Sequence, residues 1–442
     1  MSAPALDLTA AGPAPLAPGP DWLALRREEA RDRFARRGLP DAREEAWRYT
    51  RLAPVARRRW RLVEPAEAPP VDRAALEAAI APAWACNLFV FVDGRLVPEL
   101  GSPEPRTGAH RVEELEAASR ALREAARQEL GRHVDPGENP LVDLNTALFR
   151  GGALVHLAAQ EQAPQPIHLV HLAQPAGGRA ADEPFASQPR TLVLAGAGSR
   201  VMLIEDHVRL EPGPNLTNAV TELVLEPGAQ VDLVRILREG EQAHHLSAVG
   251  ATVARDARLR IHSIVVGGAF TRADTRVLLA EPGASCELFG AGAARGEELL
   301  AQRTRVEHAT PHGSSLQIFR SVAADRSRSV FDGLVRVHPG ARGTSAEQRS
   351  ENLLLSPGAE VDVRPQLEID NDDVRCSHGA TIGQLDREVL FYLRSRGLPE
   401  GDARRLLLRA FLAGALRALP AEALREHLAD ALGSRITGGG LP

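Results

Sequence analysis

The sequence contains no lysine: all 53 of its basic residues are arginine. That absence excludes chemistry through a Schiff-base amine. It also removes the lysine with which an ordinary P-loop reaches the β- and γ-phosphates of a nucleotide. Any ATP work associated with the chain is therefore expected from a partner. A GC-rich genome is the simplest origin of the bias. Cysteine is scarce too. Cys86, Cys286 and Cys376 are too few and too scattered for a disulfide framework, which places the protein in a reducing cytoplasm. No apolar run approaches the roughly 20 residues that cross a bilayer. A net charge of −5 offers no basic face for nucleic acid. Neither a membrane nor a nucleic acid is an expected partner.

What is present is ordinary for a globular chain: 442 residues, 44% apolar and 25% charged. That length suffices for two or three units around a large core. Residues 1–20 are rich in Ala and Pro without an early positive charge, and read as a disordered tail rather than a secretory signal.

Residues 21–140 read as a mainly helical domain. A helix begins near Trp22, carries Ala30 and Phe34 on one side, and ends at Gly38-Leu39-Pro40. Further helices are expected over Arg73–Ile80 and Val112–Leu130, with a short strand at Leu88–Val92 closed by Asp93-Gly94. Residues 141–385 change character, becoming short alternating apolar runs between recurring corners: Glu211-Pro212-Gly213, Glu226-Pro227-Gly228, Glu281-Pro282-Gly283, His338-Pro339-Gly340 and Ser356-Pro357-Gly358. Pro followed by Gly predicts type II turns. Their spacing, roughly 15 residues or loosely a multiple of it, predicts a solenoid whose coils must stack to bury their apolar faces. The fold class is therefore mainly β: a β-helix first, a β-sandwich second. Residues 386–435 return to helical spacing, with Gly397 ending one helix, Asp402 capping the next, and Pro420 opening a third that Gly433 stops.

Reactive groups gather in Asp372-Asp373-Val374-Arg375-Cys376-Ser377-His378. On an extended backbone Cys376 and His378 project from one side, and thiolate and imidazole both suit iron, zinc or copper(I). A polar strand-end turn that caps a coil accounts for the same residues equally well. His308 and His312 have the spacing of a helical metal pair, but Pro311 and Gly313 make the segment a loop or strand end. His244-His245 reads as a solvated pair, and Cys286 as a core residue. No Gly-x-Ser-x-Gly elbow or dinucleotide loop is complete. A β-helix glycosidase or lyase, which needs converging carboxylates, and a purely structural solenoid are the alternative functions.

The C-terminal third nevertheless resembles a known family as a whole. Leu353-Leu354-Leu355-Ser356, Pro365-Gln366-Leu367-Glu368-Ile369, Asp372 to Thr381, and Leu390-Phe391-Tyr392-Leu393-Arg394-Ser395-Arg396-Gly397 occur in order. Asn145 with Ala147, Phe331-Asp332-Gly333 and Glu45-Ala46-Trp47-Arg48-Tyr49-Thr50 fit as well. The string is similar to the SufB/SufD family of iron–sulfur cluster assembly proteins. Ser377 and Gly379 flank the histidine where SufB-type chains tend to carry glutamates, so the SufD branch fits better.

The resemblance implies a right-handed parallel β-helix core flanked by N- and C-terminal helical domains, and a non-catalytic scaffold role. It implies pairing of SufB- and SufD-like chains through their β-helices, with a SufC-like ABC ATPase bound to each C-terminal helical domain. Phe391, Tyr392, Arg394, Arg396 and Phe411 would then face a partner. His378, and less strongly Cys376, would lie at the SufB–SufD interface as ligands to iron or a transient iron–sulfur cluster. A flavin in the assembled complex and a homodimer of the isolated chain are compatible with the family, and no residue here identifies either.

Overall fold

The recurring corners fold the middle of the chain into stacked, flattened coils. The computed structural model describes residues 21–62, 71–80, 86–102, 110–174 and 183–437; the tail expected over residues 1–20 lies outside them. At Glu226–Ala229 and Glu281–Ala284 the last N–H donates to the first carbonyl, at 3.0 and 3.3 Å. Gly228 and Gly283 take φ of 71° and 76° there, as a type II turn requires. Ala341 and Ala359 close equivalent turns onto His338 and Ser356, but Gly340 and Gly358 lie outside the positive-φ region, so these two corners are not type II. The corners also stack. Gly198 N–H donates to the Pro227 carbonyl and Gly228 N–H to the Arg255 carbonyl, at 2.9 and 2.8 Å.

The strands in chain order are β1 (Arg61–Leu62), β2 (Asn87–Val92), β3 (Arg95–Leu96), β4 (Arg111–Glu114), β5 (Ala153–Leu157), β6 (Ile167–Leu172) and β7 (Phe185–Ser187). Then follow β8 (Arg190–Ala195), β9 (Arg200–Val208), β10 (Asn215–Leu225), β11 (Gln230–Arg238), β12 (His244–Val253), β13 (Arg258–Val265) and β14 (Phe270–Leu279). The last are β15 (Ser285–Ala294), β16 (Leu299–His308), β17 (Ser314–Ala323), β18 (Arg328–Val337), β19 (Thr344–Leu354), β20 (Glu360–Ile369) and β21 (Val374–Gly383).

One sheet runs β20-β18-β16-β14-β12-β10-β8-β5-β4, with β1 and β7 joined to it at β10; the other runs β21-β19-β17-β15-β13-β11-β9-β6-β2-β3. From β8 onward consecutive strands alternate between the sheets, and each pairs in parallel with the strand two positions on. This is a parallel β-solenoid. Val231, Leu259, Cys286, Ser315, Ala346 and Cys376 stack in register, one from each successive coil. A coil is thus about 30 residues long, within the range of solenoid repeats. The spacing between turns is half a coil.

The N-terminal unit is less helical than expected. Its helices are α1 (Asp21–Arg37), α2 (Ala53–Ala56), α3 (Arg73–Ala79), α4 (Arg120–Glu129) and α5 (Leu141–Leu148). Residues 111–114 are a strand rather than the start of a helix, because β4 pairs antiparallel with β5. β2 continues the other sheet onto β6, and β3 folds back antiparallel on it. The Glu45–Thr50 motif lies against the outer face of the first sheet. The Arg272 guanidinium stacks 3.5 Å from the Trp47 ring, and Glu45 pairs with Arg364.

The C-terminal helices are α6 (Arg387–Ser395), α7 (Glu400–Ala413) and α8 (Glu422–Thr437). The Asp386 carboxylate caps α6, accepting from Glu388 and Val389 N–H. Gly397, at φ 92°, ends it: Gly397 N–H donates to Arg394 and Leu398 N–H to Leu393, a Schellman arrangement. Asp402 does not cap α7. It lies in the first turn, paired with Arg405 at 2.7 Å. Gly433 does not stop α8 either, since the helix runs on to Thr437; a Cβ at Gly433 would lie 3.1 Å from Arg409 Cβ on α7, so its smallness lets the two helices cross closely. Leu408, Leu412, Leu424, Leu428 and Leu432 from these helices bury against Ile204, Val234, Ile264 and Val322 on the solenoid. No described helix is long and apolar enough to cross a membrane.

Candidate functional site

Strand alternation decides where the candidate ligands point. Along β19 the buried residues are Thr344, Ala346, Gln348, Ser350 and Asn352, alternating with more exposed Glu347, Arg349 and Glu351. The even-numbered row therefore faces the bore of the solenoid. Ala346 pairs with Cys376 and Gln348 with His378, so both side chains face inward from one side, as the extended reading requires. They belong to the last coil, and among the described residues no coil follows to cover them. Cys376 packs half-buried against Val335, Val337, Ala341 and Ala346. Burial pushes its thiol pKa up, partly offset by the Ala346 backbone. His378 is exposed.

The facing strand β20 continues the inner row of β18. Val363 pairs with Phe331, Pro365 with Gly333 and Leu367 with Val335. The open mouth of the bore is thus apolar on one side, with a thiol and an imidazole on the other. The family-like Phe331-Asp332-Gly333 now has a physical role. Phe331 packs on Phe319 at 4.5 Å between ring centroids, Asp332 binds Arg364 on the outer face, and Gly333 leaves space in the bore. A cavity of about 300 Å³ runs along β19 and β21, lined by residues 347–351 and 377–381 of these two strands.

Among the described residues no three of His, Cys, Asp and Glu converge as a metal site. Cys376 and His378 would supply half of a four-ligand shell at most. Asp372 and Asp373 sit at the exposed corner before β21.

The other histidines singled out in the sequence do not form a metal site. His308 ends β16 inside the bore, with Nε2 2.9 Å from Ser315 Oγ; His312 occupies the corner beyond at φ 62°. The two do not converge. His244 and His245 are both buried, not solvated. The strand is covered on both faces: His244 packs edge-on against Trp60 at 5.1 Å, and His245 bonds Glu239 at 2.6 Å inside. Cys286 is fully buried in the bore core, as expected, and burial pushes its thiol pKa up.

Sequence reasoning missed a charged cluster in the bore. Glu205 accepts from Arg235 Nε at 2.8 Å and from the Thr191 and Thr221 hydroxyls at 3.0 and 2.7 Å. His171 and His207 lie 3.6 and 3.7 Å from it. Burial alone would raise the Glu205 pKa; Arg235 and the two imidazoles more than reverse this and hold it well below the carboxylate range. The signal available was the pair of charges interrupting Val201-Met202-Leu203-Ile204-Glu205-Asp206-His207-Val208.

Phe391 and Tyr392 on α6 are 72% and 54% exposed, and α6 has no buried residue. Arg396 lies over the Tyr392 ring and Arg394 pairs with Glu400 at 3.4 Å. Phe411 stands apart from them. It packs beneath the Arg320 guanidinium, whose Nη1 donates to the Phe411 carbonyl at 2.6 Å, and so ties α7 to the solenoid.

Comparison with known proteins agrees with this architecture. The SUF system FeS cluster assembly SufBD core domain matches residues 178–411, and the SufBD protein N-terminal region matches residues 19–169. An iron–sulfur cluster assembly SufBD family protein of Synechocystis is 29% identical over 93% of this chain and 91% of its own length. The iron–sulfur cluster assembly protein SufD of Escherichia coli is 30% identical over 91% of each chain. That of Bacillus subtilis is 26% identical over 68% of this chain and 67% of its own. With a parallel β-solenoid between two helix-bearing ends, and likeness running through nearly its whole length, the chain belongs to the SufBD family of iron–sulfur cluster assembly proteins.

Proposed function

We propose that the chain is a SufD-like, non-catalytic scaffold subunit of the SUF machinery. It pairs with a SufB-like paralogue at the open end of its solenoid and binds a SufC-like ABC ATPase through its C-terminal helices. The observation that carries this reading is the unfinished last coil. β20 and β21 are ten-residue edge strands, and the mouth between them is apolar around one thiol and one imidazole. Long bare edges invite pairing with another chain, and a solenoid coil buries its faces only against a neighbour. The same end could pair two copies of the isolated chain. Because Cys376 and His378 are an incomplete ligand set, the rest of the shell would come from the partner, with iron and sulfur as cargo at the junction. ATP binding would draw the ATPase subunits together, and α6, joined to β21 through residues 384–386, would pass that movement to the mouth.

A pull-down of the tagged chain from its host is expected to recover an ABC ATPase and a paralogous solenoid protein; recovery of neither, under conditions that keep weak complexes, overturns the reading. His378→Ala should sharply reduce cluster assembly in cells while the complex stays intact, and undiminished assembly removes the ligand role. Phe391→Asp should weaken ATPase binding by at least about 30-fold, the scale of an aromatic hot spot. Its thermal melt should stay unchanged, because the ring is largely exposed. Unaltered binding by calorimetry would move the docking face elsewhere.

A further inference from the structure

Two buried glutamines stand directly beneath His378. In its register column the inner face reads Leu233, Ile261, Leu288, and then Gln317, Gln348 and His378. Neither glutamine has exposed surface. Gln317 Oε1 accepts from the Thr304 hydroxyl at 2.6 Å. Among the described residues Gln317 Nε2 and both polar atoms of the Gln348 carboxamide have no hydrogen-bond partner. A buried polar group left unpaired costs about 1–3 kcal/mol, and the earlier coils fill this row with leucine or isoleucine. Space for Gln348 comes from across the bore, where a Cβ on Gly333 would lie 2.2 Å from Gln348 Nε2. The fold keeps an unpartnered carboxamide one strand spacing, about 4.8 Å, below the imidazole of the mouth.

We propose that Gln348 is a positioning residue for His378. Its carboxamide oxygen accepts from the inner ring N–H once a partner covers the end of the bore, which leaves the lone pair of the other ring nitrogen directed at the cargo. The inference rests on the reading of His378 as a ligand. A metal-binding imidazole is ordinarily held by a hydrogen bond at its second nitrogen, which fixes tautomer and orientation. Nothing charged is available to do this from inside. Among the described residues Cys376 and His378 are the titratable side chains on the inner rows of β18–β21, while Glu347, Arg349, Glu351 and Arg375 lie on the outer row.

The test uses the full chain in the complex it purifies with, titrated with cobalt(II) as an oxygen-stable stand-in for iron(II) and followed by its visible absorption. Gln348→Met keeps the volume and removes the polar atoms. It should melt at or above the wild-type temperature, bind cobalt 10–100-fold more weakly, the usual loss when such a partner is removed, and shift the pH of half-maximal binding upward at fixed cobalt, since a weaker site competes less well with the proton. His378→Ala should abolish the signal. If His378→Ala abolishes binding but Gln348→Met stays within twofold with an unmoved pH profile, the positioning role is overturned and the ligand reading stands. If His378→Ala binds as wild type does, both fall. A Gln348→Met chain that melts several degrees lower makes the carboxamide a packing group and also overturns the proposal.

Discussion

Replacing Arg235 by leucine will destabilise the folded chain by about 3–5 kcal/mol, the range for leaving a buried charge without its partner. Arg235 has no exposed surface and Glu205 almost none. Besides Arg235, Glu205 has two threonine hydroxyls and two imidazoles around it. The hydroxyls can offset only part of the desolvation that a lone carboxylate suffers. Urea unfolding at pH 7.5 should show the midpoint falling with an unchanged slope. The sign of the pH dependence follows. Without Arg235 the Glu205 pKa rises above its unfolded value, so the penalty is greatest above that pKa and shrinks as pH falls and the carboxyl takes a proton. The double change Arg235→Leu with Glu205→Gln should recover much of the loss. A loss below about 1 kcal/mol for Arg235→Leu alone would mean that the cluster is already solvated.

The second large effect is acid lability. Burial pushes the pKa of His207, His244 and His308 down to about 4 and that of His262 to about 3. His207 and His308 lie in the bore. His244 lies under Trp60, and His262 stacks on Phe289 at 4.9 Å. Each is neutral in the folded chain and titrates near 6.5 when unfolded. The unfolded state therefore binds more protons between about pH 6.5 and 4, and stability falls as pH drops through that window. At 1.36 kcal/mol per unit of pKa, each imidazole contributes on the order of 3 kcal/mol. Glu205, Asp206 and Glu239, whose pKa values are held low by Arg235, Arg238 and His245 against the opposing effect of burial, extend the loss below pH 4.5. Urea midpoints measured from pH 7.5 to 4.5 should decline steadily, and His262→Phe should flatten part of the decline. Constant stability down to pH 5 would show that these imidazoles are reached by water.

Much of this architecture was legible from local chemistry. Pro-Gly corners with strand-like runs between them specify stacked coils without any knowledge of which strands pair. They could not reveal that a coil has two sides, so a half-coil repeat and a full one looked alike. Cys376 and His378 could be placed on one side of a strand by alternation alone. That this side faces the bore, and that the coil is the last, depends on pairing with Ala346 and Gln348 a whole coil earlier. His244 and His245 show the opposite failure. Two adjacent histidines look solvated until Trp60, from the N-terminal unit, is seen to cover one of them. The inner glutamines were invisible for a related reason. Glu347-Gln348-Arg349-Ser350 is polar on both rows, and hydropathy cannot mark an inner face that is itself polar. Gly433 misled because a glycine that stops a helix and one that lets two helices touch are the same letter.

The two ends of the solenoid differ in a way that sets how many chains can join. At the first end the sheets finish in β3 and β4, strands of two and four residues laid antiparallel on their neighbours, which leaves little backbone for another chain to extend. At the last end both edges are ten residues long and bare. In the language of polymers, pairing as proposed would make the chain monofunctional, with one reactive terminus and one capped. Such a unit would not grow into a fibre, because joining two of these ends uses the long edges of both. Stacked parallel strands, the architecture most prone to endless addition, would stop at two.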